Sequence, residues 1–163
     1  MTSAVGRPVQ RSDIAAKVTG QSCFPQDYSS KDQLYAKVVW AAHPRARVLH
    51  IDASRASGVP GVVRVLTAAD VPVNEYGIMT FDQPVLVPVG GDTHWTGDRV
   101  ALVVAETEAA ASRAGDLIDV EYEVLQPIID PAAAKGAPDL VHPDRNSNVI
   151  QHLFVHRGET EAG

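Results

Sequence analysis

The sequence is poor in cysteine, in long apolar runs and in positive charge. Cys23 is the single cysteine, so the chain cannot close an intrachain disulfide or supply a cysteine-based zinc or iron–sulfur site. The longest apolar run, residues 100–105, is far shorter than the roughly 20 residues that a membrane-spanning helix requires. Residues 1–11 also lack the apolar segment of a secretory signal. We therefore expect a protein of the reducing cytoplasm that does not enter a membrane.

Basic residues are outnumbered by acidic ones. The chain has 14 Lys and Arg residues against 20 Asp and Glu residues, and its formal net charge is −6. Nucleic acids and anionic membrane surfaces both require a basic face that neutralises phosphate, so we expect neither kind of partner. With 45% apolar and 21% charged residues among 163, the composition is that of one folded domain of ordinary size.

The clearest local pattern runs from residue 99 to residue 125. Residues 100–105 are apolar on both faces, which predicts a central strand, and Thr107 is the predicted N-cap of the helix that follows. Residues 120–124 alternate between apolar and acidic side chains, which predicts a half-buried strand. The apolar face of the helix comprises Ala110, Ala111, Ala114, Leu117 and Ile118.

Residues 47–66 repeat this order faintly, as strand, acidic cap, short helix and strand. Two such segments favour a mixed α/β (α+β) domain built from two β-α-β-like units on one mixed sheet. We also expect helical turns at 67–70 and 131–135 and a last strand at 148–156. The predicted organisation is an extended arm at 1–20, a domain at 21–145, and the start of a linker or strand into further chain at 146–163.

The reactive side chains do not converge in sequence. His152 and His156 would share a face of a helix or a strand and could bind a metal, but no third ligand is near them. Glu121 and Glu123 are interpreted as a solvated strand face and not as a catalytic pair, and Cys23 as a small buried residue. No phosphate-binding or nucleophile-elbow pattern occurs.

The other histidines, His43, His50, His94 and His142, are scattered and are interpreted as surface or hydrogen-bonded residues. We interpret Trp40 and Trp95 as core or interface anchors. We therefore assign no catalytic, cofactor-binding or metal-binding residue to the chain. The arm over residues 1–19 and a long excursion over residues 73–91 are the candidate docking segments, because unanchored backbone persists where a partner orders it.

Several stretches follow one another along the chain in a characteristic order: residues 5–9, 11–13, 16–20, 34–38, 44–46, 51–54, 60–72, 96–106, 118–125 and 140–143. Together they resemble the molybdenum-binding large subunits of the xanthine dehydrogenase/aldehyde oxidase family. Residues 60–72 carry the strongest likeness. Residues 97–99 depart from it, since Gly-Asp-Arg stands where many relatives have Gly-Glu-Pro or Gly-Gln-Pro. Residues 74–77 and 81–86 resemble a subgroup that includes purine and nicotinate hydroxylases.

The resemblance implies the α/β hammerhead domain that precedes the molybdopterin-binding domains of these enzymes. Family members hydroxylate aldehydes or N-heterocycles with oxygen from water, using molybdopterin in this subunit and [2Fe–2S] clusters and FAD in partner subunits or domains. The expected partners are thus the downstream molybdopterin-binding domains and the iron–sulfur and FAD subunits. Because the family's catalytic residues lie downstream, we expect this chain to be inactive alone. Met1, just before the similar stretch, suggests separate iron–sulfur and flavin subunits.

Two other interpretations stay open at the level of sequence. A free-standing adaptor without enzymatic activity is the alternative if no further polypeptide follows residue 163. A small metal-dependent enzyme that uses His152 and His156 is the other. The polar residues 157–163 look like the opening of a further element, which favours the interpretation as part of a larger subunit.

Overall fold

The computed structural model describes residues 5–78 and 81–158. Residues 1–4 of the predicted arm and residues 159–163 of the predicted linker lie outside the described residues. The chain divides into two compact units, Met1–Gln33 and Leu34–Gly163, so the division falls after Gln33, whereas the arm was predicted to end at residue 20.

The first unit contains a short helix, α1 (Ile14–Val18), and a 3-10 turn at Pro25–Asp27. The Asp13 carboxylate lies 2.8 Å from both the Arg11 guanidinium and the Lys17 ammonium, and this pairing supports the first turn of α1. The segment predicted as an extended arm is therefore partly helical.

The second unit holds the remaining regular structure, which follows the order predicted from the sequence for most elements. Its helices are α2 (Ser54–Ser57), α3 (Glu108–Gly115) and α4 (Pro131–Ala134), with 3-10 turns at Ala68–Asp70 and Pro143–Arg145. Its strands are β1 (Tyr35–Trp40), β2 (Ala46–Asp52), β3 (Val62–Leu66), β4 (Glu75–Tyr76), β5 (Gln83–Pro84), β6 (Arg99–Ala105) and β7 (Asp119–Val124).

The mixed α/β class is confirmed, but the strands of the described residues form three antiparallel sheets where one mixed sheet was predicted. Their orders are β1-β6-β3, β2-β7 and β4-β5. Both predicted β-α-β units are present, and each connects two sheets. The first runs from β2 in the two-stranded sheet through α2 to β3 in the three-stranded sheet, and the second runs from β6 in the three-stranded sheet through α3 to β7 in the two-stranded sheet. Because β2 pairs with β7 and β3 pairs with β6, each strand of one unit is hydrogen-bonded to a strand of the other in antiparallel orientation.

Strand β6 is the centre of the core, as its apolar sequence predicted. Ala101, Val103 and Ala105 on one face are fully buried, and the alanines of α3 pack close to that face. The Thr107 hydroxyl accepts a hydrogen bond from the Ala110 N–H at 3.1 Å, which confirms the predicted N-cap. The other face of β6 carries Val100, which packs with Ala41, Val48 and Val87.

The excursion over residues 73–91 is anchored at its second half. The Asn74 side chain both donates to the Leu86 carbonyl (2.8 Å) and accepts from the Leu86 N–H (3.0 Å). Leu86 and Val87 are themselves buried in the core. The two ends of the β4-β5 hairpin are therefore held together and to the core, whereas Ile78, which follows β4, is fully exposed.

The prediction of a strand at residues 148–156 is wrong, because residues 149–156 have no regular structure. Val149, Ile150, Leu153, Phe154 and Val155 are all exposed. The Asn148 side chain instead folds back, accepting from the Val141 N–H at 2.8 Å and donating to the carbonyls of Ala134 and Asp139. A β-forming sequence becomes a strand only where another strand offers its backbone.

Candidate functional site

The second unit carries an open groove, which we call the aromatic groove. It comprises adjoining cavities of about 620 and 520 Å³ that share Pro84, His94, Trp95 and Val141, with a smaller one of about 260 Å³ beside them. Four aromatic side chains on its rim are exposed: Trp40, Tyr76, Phe81 and Trp95. Both tryptophans were predicted to be core or interface anchors, and the assignment to the core is wrong.

The Trp95 indole is positioned by its own turn. The nearly buried Asp98 carboxylate accepts hydrogen bonds from the N–H groups of His94 (2.6 Å) and Trp95 (3.3 Å). The indole lies so close over Gly97 that a Cβ there would come within 2.0 Å of the ring. Glycine at 97 therefore allows the ring to occupy this place.

The Tyr76 ring is positioned by Arg99. Its hydroxyl accepts a hydrogen bond from Arg99 Nη2 at 2.7 Å, and the guanidinium carbon lies 5.6 Å from the centre of the same ring, within cation–π range. The Nε of Arg99 is buried with no hydrogen-bond partner among the described residues. Arg99, the first residue of β6, thus ties strand β4 of the excursion to the central sheet.

Two histidines and a carboxylate meet on the floor of the groove. His142 Nδ1 forms a short contact with the Asp82 carboxylate, and the imidazole of His94 lies 6.1 Å from that of His142 between ring centres. These residues come from three separate segments of the chain. The sequence analysis interpreted the histidines as scattered, and no spacing within the chain signals that they meet.

Charged side chains at the other end of the groove are paired with each other. Arg47 Nε lies 2.8 Å from Asp92 Oδ1, and the hydrogen bond to this carboxylate raises the pKa of the Arg47 guanidinium above its ordinary value. Arg45 lies 3.5 Å from Asp139 and donates to the Gln126 carbonyl. The charges at this end of the groove are therefore compensated, whereas Glu75 and Arg99, which also line the groove, form no ion pair among the described residues.

The residues weighed as reactive from the sequence lie elsewhere. His152 and His156 are exposed in the irregular segment, where His156 stacks on Phe154 with ring centres 6.3 Å apart. Glu121 and Glu123 are exposed on β7, as predicted. Cys23 is exposed, so its prediction as a buried residue is wrong; it belongs to the small first unit.

The residues of the described ranges do not form a site for a metal or an iron–sulfur cluster. No three His, Cys, Asp or Glu side chains within residues 5–78 and 81–158 come together in an arrangement that could hold a metal ion. An iron–sulfur cluster takes four cysteine ligands in its common forms, and the chain has one cysteine. Across the same residues no helix is long and apolar enough to cross a membrane.

Residues 19–126 match the family model described as "Aldehyde oxidase and xanthine dehydrogenase, a/b hammerhead domain". The chain belongs to this family. Over 154 residues it is 36% identical to a probable xanthine dehydrogenase subunit of Bacillus subtilis, a match covering 94% of this chain and 20% of that protein. It is 35% identical to the nicotinate dehydrogenase large molybdopterin subunit of Eubacterium barkeri, covering 91% of this chain and 35% of that subunit.

Solved structures agree with the sequence matches to this hammerhead domain. Quinoline 2-oxidoreductase from Pseudomonas putida 86 superposes with a TM-score of 0.81 at 29% identity, covering 93% of this chain and 20% of the other. The Cu,Mo-CO dehydrogenase superposes with a TM-score of 0.73 at 32% identity, covering 82% of this chain and 17% of the other. The chain thus spans about a fifth of the length of most relatives named above. The family-model match and these similarities confirm the predicted hammerhead domain of a molybdenum hydroxylase family.

Proposed function

We propose that the chain is a packing module of a molybdenum hydroxylase that hydroxylates an aldehyde or an N-heterocycle with oxygen from water. In this proposal the chain supplies no catalytic group, and its surface fits against the molybdopterin-binding domains of the same subunit. The substrate specificity belongs to those other domains.

The distribution of large apolar side chains carries the proposal. The largest fully buried side chains are four valines and one threonine. All three phenylalanines, in contrast, are at least half exposed: Phe24 (50%), Phe81 (72%) and Phe154 (79%). Since burying one aromatic side chain stabilises a protein by about 2–3 kcal/mol, a chain that buries small residues and exposes large ones is suited to packing against further protein.

The cofactors of the parent enzyme follow from the same proposal. Molybdopterin would be held by later domains of the subunit, and [2Fe–2S] clusters and FAD by partner subunits or domains. One cysteine cannot supply the four ligands that an iron–sulfur cluster takes in its common forms, so these clusters would be held by other residues. A single, exposed, free cysteine also suits an enzyme of the reducing cytoplasm.

The test compares the 163-residue chain with the complete polypeptide of its gene, coexpressed with its neighbours. We expect molybdenum, and turnover of at least one substrate from a panel of purines, nicotinate and aldehydes, only in preparations of the complete polypeptide. Stoichiometric metal or hydroxylase turnover in the 163-residue chain would refute the proposal. A reading frame that stops at residue 163 would replace it with an adaptor that has no enzymatic activity.

A further inference from the structure

We propose that the aromatic groove binds an extended, apolar segment of the same polypeptide, from the part that follows residue 163. This inference rests on the proposed function, because it requires the chain to continue into further domains. It adds a defined surface on this module and a defined chemistry for the segment that covers it.

Two aromatic side chains of the rim, Trp95 and Tyr76, are held in place by contacts within the chain itself. The Trp95 ring is placed over Gly97 by a turn that the Asp98 carboxylate closes through two backbone N–H groups. The Tyr76 ring is fixed through its hydroxyl and its face by Arg99. Exposed rings that are already ordered lose little conformational entropy on binding, so they bind a partner more tightly than mobile side chains do.

The rim also offers hydrogen-bond donors that an extended backbone can satisfy. No hydrogen bond within the described residues engages the indole N–H of Trp40 or Trp95, and both rings are more than half exposed (54% and 62%). An extended segment presents carbonyl acceptors along its length and lays its apolar side chains or prolines on the ring faces. Aromatic grooves bind extended proline-containing segments in this manner.

The charges of the groove do not favour a strongly charged partner. Arg47 is paired with Asp92, and His142 is paired with Asp82. The two lining side chains without an ion pair, Glu75 and Arg99, have opposite signs. A partner of one strong charge would attract one of these two side chains and repel the other, whereas an apolar segment leaves the existing pairs in place. The occupant is therefore better described by its apolar character and its free carbonyls than by its charge.

The position of the groove favours a segment of the same polypeptide over a separate molecule. Ile129, Leu140 and Val141 line it, and they belong to the stretch that precedes the exposed residues 149–158. The relatives named above are about three to five times longer than the part that matches this chain. A segment tethered close to its binding site has a high effective concentration there, so moderate contacts suffice to hold it.

The experiment places a photo-crosslinker on the rim in the complete polypeptide, coexpressed with its partner subunits. The variants are Phe81→p-benzoylphenylalanine and Trp95→p-benzoylphenylalanine, with the same replacement at Val63, an exposed residue of β3 away from the groove, as control. We expect both rim variants, and not the control, to crosslink within one polypeptide to the same peptide beyond residue 163. Crosslinks only to a second copy, only to another subunit, only within residues 1–163, or at the control level would each overturn the proposal.

A second substitution tests the placement of the rings without a crosslinker at the tryptophan. Gly97→Ala forces the Trp95 ring to move, and since the ring edge is exposed, the fold accommodates the change. We expect the yield of the Phe81 crosslink to fall severalfold in Gly97→Ala. The control, Gly58→Ala, adds a Cβ at ordinary contact distances of 3.6 Å or more and should leave the yield unchanged. An equal yield in both variants would refute the role of Trp95.

The molybdenum content of the same preparations separates the two proposals. If the complete polypeptide binds molybdenum and turns over a substrate while the crosslinks contradict the groove assignment, the module still functions as proposed and only the groove is wrong. If it binds no molybdenum, the proposed function is wrong, whatever the crosslinks show.

Discussion

Val103→Ala is the most direct test of the core described above. Val103 is fully buried in the central strand β6, in a cluster with Ala56 and Ala114 against which Val39 and Val65 of the adjacent strands pack. The substitution removes two methyl groups, worth about 1.5 kcal/mol of transfer free energy. It also leaves a cavity worth about 1 kcal/mol more, because the helix on this face is already packed through alanines and cannot move closer.

We therefore expect Val103→Ala to lower the free energy of unfolding by about 2–3 kcal/mol and the Tm by about 5–10 °C. Urea denaturation followed by circular dichroism measures the first quantity, and calorimetry the second. The matched control is Val63→Ala in β3, where 54% of the valine side chain is exposed and the expected loss is below about 1 kcal/mol. Equal losses at the two positions would show that β6 is not the buried centre of the sheet.

Three further predictions concern side-chain hydrogen bonds. Thr107→Ala removes the acceptor for the Ala110 N–H and should cost about 1 kcal/mol in urea denaturation, with rescue by Thr107→Ser. The backbone N–H of Thr67 lowers the pKa of Asp70, so this carboxylate stabilises the fold above the unfolded-state pKa and loses that effect as pH falls through the lowered value. Asp70→Asn should therefore reduce the acid dependence of the unfolding free energy. Asn148→Ala removes three backbone contacts and should speed proteolytic cleavage within residues 135–148.

Each of these three predictions has a specific outcome that would contradict it. Full stability in Thr107→Ala would mean that helix α3 is fixed by packing alone. An unchanged acid titration in Asp70→Asn would mean that the carboxylate has the same pKa in the folded and unfolded chain. For Asn148→Ala the comparison is Gln151→Ala in the exposed segment, and equal cleavage rates in the two variants would show that Asn148 does not hold its loop.

Local patterns in the sequence predicted the elements that depend on neighbouring residues. Helix α3 was located because a hydroxyl cap, an alanine-rich face and an apolar strand before it are all encoded within about 20 positions. The pairing of the strands was predicted less well. Whether β2 lies beside β3 or beside β7 is decided by contacts between residues about 70 positions apart, and the local pattern is the same in both arrangements.

The groove shows why a site of this kind escapes the sequence. Asp82, His94 and His142 approach each other only because the excursion and the segment after residue 127 fold onto the same side of the second unit. One local signal did exist, since Gly97-Asp98 marks a turn in which a short acidic side chain can accept backbone N–H groups. That signal predicts a turn and says nothing of the indole that the turn displays.

The assignment of Trp40 and Trp95 to the core, the predicted burial of Cys23 and the predicted last strand were wrong for a common physical reason. Each assumed that an apolar or β-forming residue is buried within the chain that contains it. In this molecule the buried positions of the central sheet and α3 are filled by alanine and valine, because the helix lies close to the strands. Little room is left inside for an indole or a phenyl ring. The large side chains must then be exposed or covered by other protein, and the crosslinking experiment distinguishes these two states.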